Sequence, residues 1–444
     1  MFFDHQKLKT DLTAVIAKSV DGGLSIGADE VEVMVARDQG LEVSVRRGRI
    51  ENLELSNDFS LSISVLFGKR KGSVSSTNFD DSSIKSLLAK AKDLTLLLEE
   101  DPHYGLAPGG LNPKKLVELD LYHPWITEPT DAVAIALAIE RAGLSLNEKL
   151  LRPDSAEVST TNSLVGYGNS NGFSAVIPRS RHSMSSVFVA EEKNGMQRDY
   201  WYSMARDPEE LRQADEVGKE AARRSLAKLN PERPISGVFP VLFAPDCASS
   251  LISHFISAVN GSSQFKKASF LLDRIGQKIF PEWLTITENP LEPRSLGGAF
   301  FDSDGVQTRN NKFVTDGVLT SYVLSNYSAK RLGLETTGNA GGVRNLTLAG
   351  PSSGQKDLLK KIGRGVLVSS LMGQGVNIVN GDYSRGASGF WVENGKISHP
   401  IDNFTIAGNL SDMFFGIQAL GDDADKRFNV RTPSILVDSM AVAS

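Results

Sequence analysis

A helix that binds zinc for peptide hydrolysis carries two histidines about one turn apart on one face, with a glutamate between them as general base. The segment LISHFISAV, residues 251–259, comes nearest to this pattern, with His254 at its middle. Its neighbours are Ser253, Ser257 and Ala258. The six histidines stand at 5, 103, 123, 182, 254 and 399, so no two are four or five residues apart. Cys247 is the single cysteine, which excludes an intrachain disulfide and a multi-cysteine zinc site. His254 therefore reads as a hydrogen-bonded structural or cleft residue rather than a ligand.

A second polar cluster, Asp382-Tyr383-Ser384-Arg385, interrupts the glycine-punctuated run from Met372 to Leu410. Glycines at this density permit positive φ and close approach of another chain, which suits a surface that receives an extended ligand. Arg385, with Tyr383 beside it, can hold a peptide carboxylate or carbonyl. The competing reading is an Asp382–Arg385 ion pair that stabilises a turn. Neither Gly373-Gln374-Gly375 nor Gly338-Asn339-Ala340-Gly341-Gly342 follows a strand and opens a helix with the third glycine at the place a phosphate loop requires, and both read as turns. Asp302-Ser303-Asp304-Gly305 begins like a calcium loop but lacks its closing acid, so it reads as a hairpin turn. Arg46-Arg47 and Lys266-Lys267 read as solvated faces.

The elements that must position these residues follow from periodicity. Residues 4–20 place Leu8, Leu12, Val15 and Ile16 at helical spacing. From 30 to 76 the period becomes two, with turns at Gly48 and at 68–72, which predicts an antiparallel meander with one wet face. A helix follows over 82–98, capped by Asp80 or Asp81, and residues 101–128 read as a long connection. Further helices are expected over 129–148 and 208–229, with a long hairpin between them at 180–206 that turns at Asn194-Gly195. The proline-flanked stretch 230–234 is the best boundary. Beyond it stand a buried strand at 238–243, a helix at 246–259 and many short strands. Their turns are Asp304-Gly305, Asp316-Gly317 and Asn394-Gly395, and two short helices lie near 324–333 and 354–362. The expected fold is α+β, with two domains. Residues 1–230 form an N-terminal antiparallel sheet with helices packed on one side. Residues 235–444 form a mainly antiparallel β domain with a few short helices.

The bulk numbers agree with this. A chain of 444 residues exceeds one ordinary core. A formal net charge of -5 argues against a nucleic-acid partner. No apolar run approaches a membrane span, and the start MFFDHQKLKT does not read as a signal peptide. One cysteine suits a reducing, cytoplasmic setting.

Long strings then resemble one family. FKKASFLLDRIGQKIFPEWLTI (265–286), SNYSAKRLGLETTGNAGGVRNL (325–346), MGQGVNIVNGDYSRGASGFWVENG (372–395) and TIAGNLSDMF (405–414) resemble the PmbA (TldE) branch of the TldD/PmbA family. RKGSVSST (70–77) and EEKNGMQRDY (191–200) extend the resemblance into the first half, so that it covers nearly the whole chain. It implies a subunit of a heteromeric zinc metalloprotease that trims unfolded or flexible peptides, in peptide-antibiotic maturation and antitoxin removal. In the TldD branch a His-Glu-x-x-x-His helix and a later cysteine bind zinc. Carried onto this chain, the helix places Ser253 at the first histidine, His254 at the glutamate and Ala258 at the second histidine, within 247–259. Residues 422–444 contain no cysteine.

The resemblance thus implies no metal and no catalytic residue in this chain. Zinc is expected in a TldD-like partner subunit, and this chain shapes a chamber for unfolded peptide. His254, Asp382, Tyr383 and Arg385 become peptide- or partner-contact candidates. The alternatives are a non-enzymatic, chaperone-like peptide-binding homodimer, and an autonomous hydrolase built around His254, Asp382 and Arg385.

Overall fold

The computed structural model describes residues 5–125, 127–193 and 195–444. The first half runs α1 (His5–Ser25), β1 (Glu30–Arg46), β2 (Arg49–Phe67), β3 (Arg70–Ser76), α2 (Asp81–Leu96), α3 (Pro129–Leu144), β4 (Leu151–Asn169), β5 (Ser174–Glu192), β6 (Gly195–Ala205) and α4 (Ala214–Ala227). Its strands form one antiparallel sheet in the order β3-β2-β1-β4-β5-β6. Odd-numbered side chains of β1 (Val31, Val33, Val35, then Leu41, Val43, Val45) are buried beneath the helices. The opposite face carries polar side chains such as Asp38, Thr161 and Ser163, so period-two patterning has produced the expected wet face.

Several details differ from expectation. β4 was not anticipated, because SAEVSTTNS holds few large apolar residues and its inward set is Ala156, Val158 and Leu164. Asp80 occupies the cap position of α2, yet its side chain accepts no cap hydrogen bond. α2 ends at Leu96 and α3 at Leu144, short of the expected 98 and 148. The helix expected over 208–229 splits into a 3-10 turn, Pro208–Glu210, and α4. Asn194 lies outside the described residues, so its turn geometry is not described. The 101–128 connection holds one short 3-10 turn, Gly109–Leu111.

The second half runs β7 (Gly237–Phe243), α5 (Pro245–Val259), α6 (Gly261–Phe265), β8 (Thr285–Glu288), β9 (Asn311–Thr315), β10 (Val318–Leu319), α7 (Asn326–Leu332), β11 (Leu346–Ala349) and β12 (Ser352–Ser353). It continues with α8 (Gln355–Ile362), β13 (Gly365–Met372), β14 (Asp382–Glu393), β15 (Lys396–Asn409), α9 (Leu410–Phe415), β16 (Ile417–Gly421), β17 (Val430–Arg431) and β18 (Ile435–Ala443). Two helices beyond the expected pair, α6 and α9, are therefore present. Pairing is mainly antiparallel, with β7–β13, β11–β17 and β12–β16 parallel. β7 pairs with both β13 and β18, so β7, β13, β14, β15 and β18 close on themselves and leave few free edges. Asn394 and Gly395, both at positive φ (50° and 71°), make the tight turn between β14 and β15, as their types predict. No helix among the described residues is long and apolar enough to cross a membrane.

Candidate functional site

α5 lies against the closed strands and buries Cys247, Ala248, Leu251, Ile252, Phe255, Ala258 and Val259 in the largest core. Each fully buried Leu, Ile or Phe contributes roughly 1.5–3 kcal/mol, so packing locks the rotation of the helix. That rotation decides what the degenerate zinc positions can do. Ala258 is fully buried among apolar neighbours. Ser253 donates its hydroxyl back to the Ser249 carbonyl at 2.8 Å. His254 is half-buried and turns its ring edge-on to Tyr383, with centroids 6.0 Å apart.

β14 supplies the other wall. Alternation along the strand buries Tyr383 on the α5 side and sends Asp382 and Ser384 to the exposed side. Arg385 shares the Tyr383 face and donates from Nη1 to Ser250 Oγ at 2.9 Å, one helical turn before His254. The expected exposed Asp-Tyr-Ser-Arg cluster is therefore divided between two faces. Asp382 and Arg385 are not paired with each other: Asp382 accepts from Asn380 Nδ2 at 2.6 Å, while Arg385 turns to Ser250. The close approach that the glycines permit is made by this chain itself: a Cβ on Gly375 would stand 2.1 Å from the Ser384 carbonyl oxygen.

Three polar atoms of this cluster are buried without a hydrogen-bond partner: His254 Nε2, Tyr383 Oη and Arg385 Nε. Groups of this kind are normally satisfied by protein, water or ligand, and each left bare costs about 1–3 kcal/mol. Burial, reinforced by the Arg385 charge, lowers the His254 pKa below 6.5, so the imidazole is neutral at neutral pH. Burial also raises the Tyr383 phenol and pushes the Cys247 thiol up to about 12. A thiol held protonated in this way is a poor nucleophile. The residues do not fit zinc: the two ligand positions hold a serine bonded to backbone and a buried alanine, and the one histidine stands where the general base would be. Among the described residues no group of three or more His, Cys, Asp or Glu side chains is placed to hold a metal.

Sequence reasoning missed Ser250, whose signal is its i, i+4 spacing to His254 on one helix face. It also missed a second buried cluster in the same half. Glu288 accepts from Asn339 Nδ2 (2.9 Å to each oxygen), from Asn311 Nδ2 at 2.8 Å and from the Arg344 backbone N–H. This fixes the Gly338–Gly342 turn. Asp302 accepts from the backbone N–H groups of Asp304, Val306 and Ala340, so the Asp302–Gly305 segment is the hairpin turn expected.

Family models place this geometry. Residues 31–95, 122–229 and 236–444 match, in turn, the PmbA/TldA metallopeptidase domain 1, central domain and C-terminal domain. The chain belongs to the PmbA/TldD metallopeptidase family. It is similar to Metalloprotease PmbA of Escherichia coli O157:H7, with 38% identity over 97% of this chain and 96% of that protein. A Metalloprotease TldD homolog of a Buchnera aphidicola strain is 26% identical over 52% of this chain and 50% of its own length. A solved structure from Bacteroides thetaiotaomicron superposes with a TM-score of 0.92 at 25% identity, covering 100% of both chains. TldE from Thermococcus kodakarensis superposes with a TM-score of 0.85 at 22% identity, covering 97% of this chain and 100% of that one. The α+β architecture is thus that of the PmbA/TldD family, and its similarity to PmbA spans both halves of the chain.

Proposed function

We propose that this chain is the PmbA/TldE-type, non-catalytic subunit of a cytoplasmic zinc metalloprotease that degrades or trims unfolded peptides. Its partner is a TldD-like chain that carries the zinc. The single observation that carries this reading is the α5–β14 cluster: Ser253 and Ala258 stand at the two ligand positions and His254 at the position of the base, yet three buried polar atoms there lack partners. Such a site suits contact with a peptide or a partner better than metal chemistry. A second observation supports assembly. β3 pairs only with Leu61–Phe67 of β2, so Arg49–Ser60 presents an unpaired edge with Ile50, Leu53 and Leu55 exposed. An unpaired strand edge with exposed apolar side chains is a template on which another chain can pair.

The test is to purify the chain alone, measure its zinc, and assay cleavage of an unfolded peptide with and without the TldD-like partner. The expected result is no stoichiometric zinc and no cleavage alone, with cleavage in the mixture. Zinc-dependent cleavage by the lone chain overturns the proposal. Peptide binding with no cleavage in the mixture favours the chaperone-like homodimer. Leu55→Lys is expected to weaken assembly by about tenfold in sedimentation, since it places a charge on an edge that the partner would cover.

A further inference from the structure

The polar face of the six-stranded sheet is not open along its whole length. Around β5 it meets the second half across a cavity of 550 Å³ whose lining includes Asp38, Thr161, Ser163, Arg179, Arg206 and Asn429. A smaller cavity of 250 Å³ adjoins it, sharing Arg179 and adding Arg344. The sheet register brings Ser163 opposite Arg179 and Thr161 opposite Arg181, so two hydroxyls and two guanidinium groups share one floor.

The charges there are unevenly answered. Arg206 is held by three carbonyl oxygens, of Ser295 (3.0 Å), Ser180 (2.8 Å) and Leu296 (2.7 Å). Arg427 is paired with Asp425 and Asp246. Arg344 donates to the carbonyls of Gly342 and Ala340. The Arg179 guanidinium has neither a hydrogen bond nor an ion pair within the chain, and its Nε is shielded from solvent. Asp38 lines the same cavity without pairing to it. Guanidinium groups remain charged, and one withdrawn from water without an anion is costly. A planar fork above hydroxyl donors matches a carboxylate, which accepts two N–H bonds at once.

We propose that the Arg179 cavity binds the C-terminal carboxylate of a peptide, with Thr161 and Ser163 as further donors. The proposal rests on the peptide-receiving reading only for the carrier of the carboxylate. Titration calorimetry on the lone full chain tests it with three probes: an acetylated tetrapeptide with a free C-terminus, the same peptide amidated, and inorganic phosphate. The acid is expected to bind at least about tenfold more tightly than the amide. Arg179→Gln should abolish that difference and, with no ligand present, raise the melting temperature by removing an unanswered charge. Arg179→Lys, which keeps the charge without the fork, should retain a weaker preference. Equal binding of acid and amide, an Arg179-dependent site that takes phosphate alone, a preference that survives in Arg179→Gln, or a lowered melting temperature for that variant overturns the proposal. Because no partner subunit is used, this result is independent of whether partner-dependent cleavage is found.

Discussion

Two buried polar clusters lie in the second half of the molecule, and they are finished differently. At Glu288, both carboxylate oxygens are filled by Asn311, Asn339 and the Arg344 backbone, and the Gly338–Gly342 turn is fixed by the arrangement. At His254, Tyr383 and Arg385, three polar atoms are buried with no partner inside the chain. A satisfied network specifies structure, whereas an unsatisfied one holds back part of its bonding for something else. The difference separates residues that hold this fold from residues that the proposed function assigns to a peptide or partner.

The largest expected effect lies in the satisfied cluster. Glu288→Ala should cost about 3–5 kcal/mol in urea unfolding, because several buried donors lose their acceptor together. A loss below about 1 kcal/mol would erase the contrast. Arg385→Ala should cost only about 1 kcal/mol of stability, since Ser250 loses one hydrogen bond. It should nevertheless weaken assembly or peptide binding while leaving the metal content of the lone chain unchanged, and an altered zinc signal in this chain would refute that. Tyr383→Phe should leave stability within about 0.5 kcal/mol of the parent, because the hydroxyl removed is already unpaired. Partner-dependent cleavage should still fall, and an unchanged rate with unchanged peptide affinity would assign Tyr383 to packing alone.

The smallest effect is in the pH dependence. The folded-state pKa of His254 lies below 6.5, so the unfolded chain takes up the proton first as pH falls. Its stability contribution is therefore present above pH 6.5 and is lost as the pH drops below that value. His254→Gln should flatten this part of the acid limb; an unchanged limb would show that the imidazole is not buried as described.

Much of the fold was legible because patterning has a local cause. Alternating valines in β1, the Asn394-Gly395 turn and the apolar stripe of α5 each express the period or turn chemistry of their own segment. β4 was not legible, since over 155–163 its inward side carries only Ala156 and Val158 as apolar residues beside Thr160 and Asn162, and its outward side is mostly serine and threonine. The cap at Asp80 failed for a different reason. Residue type proposes a cap, but the rotamer chosen in the fold decides whether the bond forms. For the site, Tyr383 and Arg385 could be named from their types and the family resemblance. Reading them as part of an exposed turn missed the strand alternation that separates them from Asp382.

The sequence by itself determined the residue inventory: one cysteine, no histidine pair at ligand spacing, and long strings shared with the PmbA branch. These are facts of composition and spacing, and no folding can change them. The tertiary structure alone decided who faces whom. It locked the rotation of α5 by burying one face, closed five strands into a ring, and stood Arg179 over Ser163 with no anion beside it. Such placements depend on contacts between segments far apart in the chain, where local pattern carries no information and packing of the whole sets the geometry.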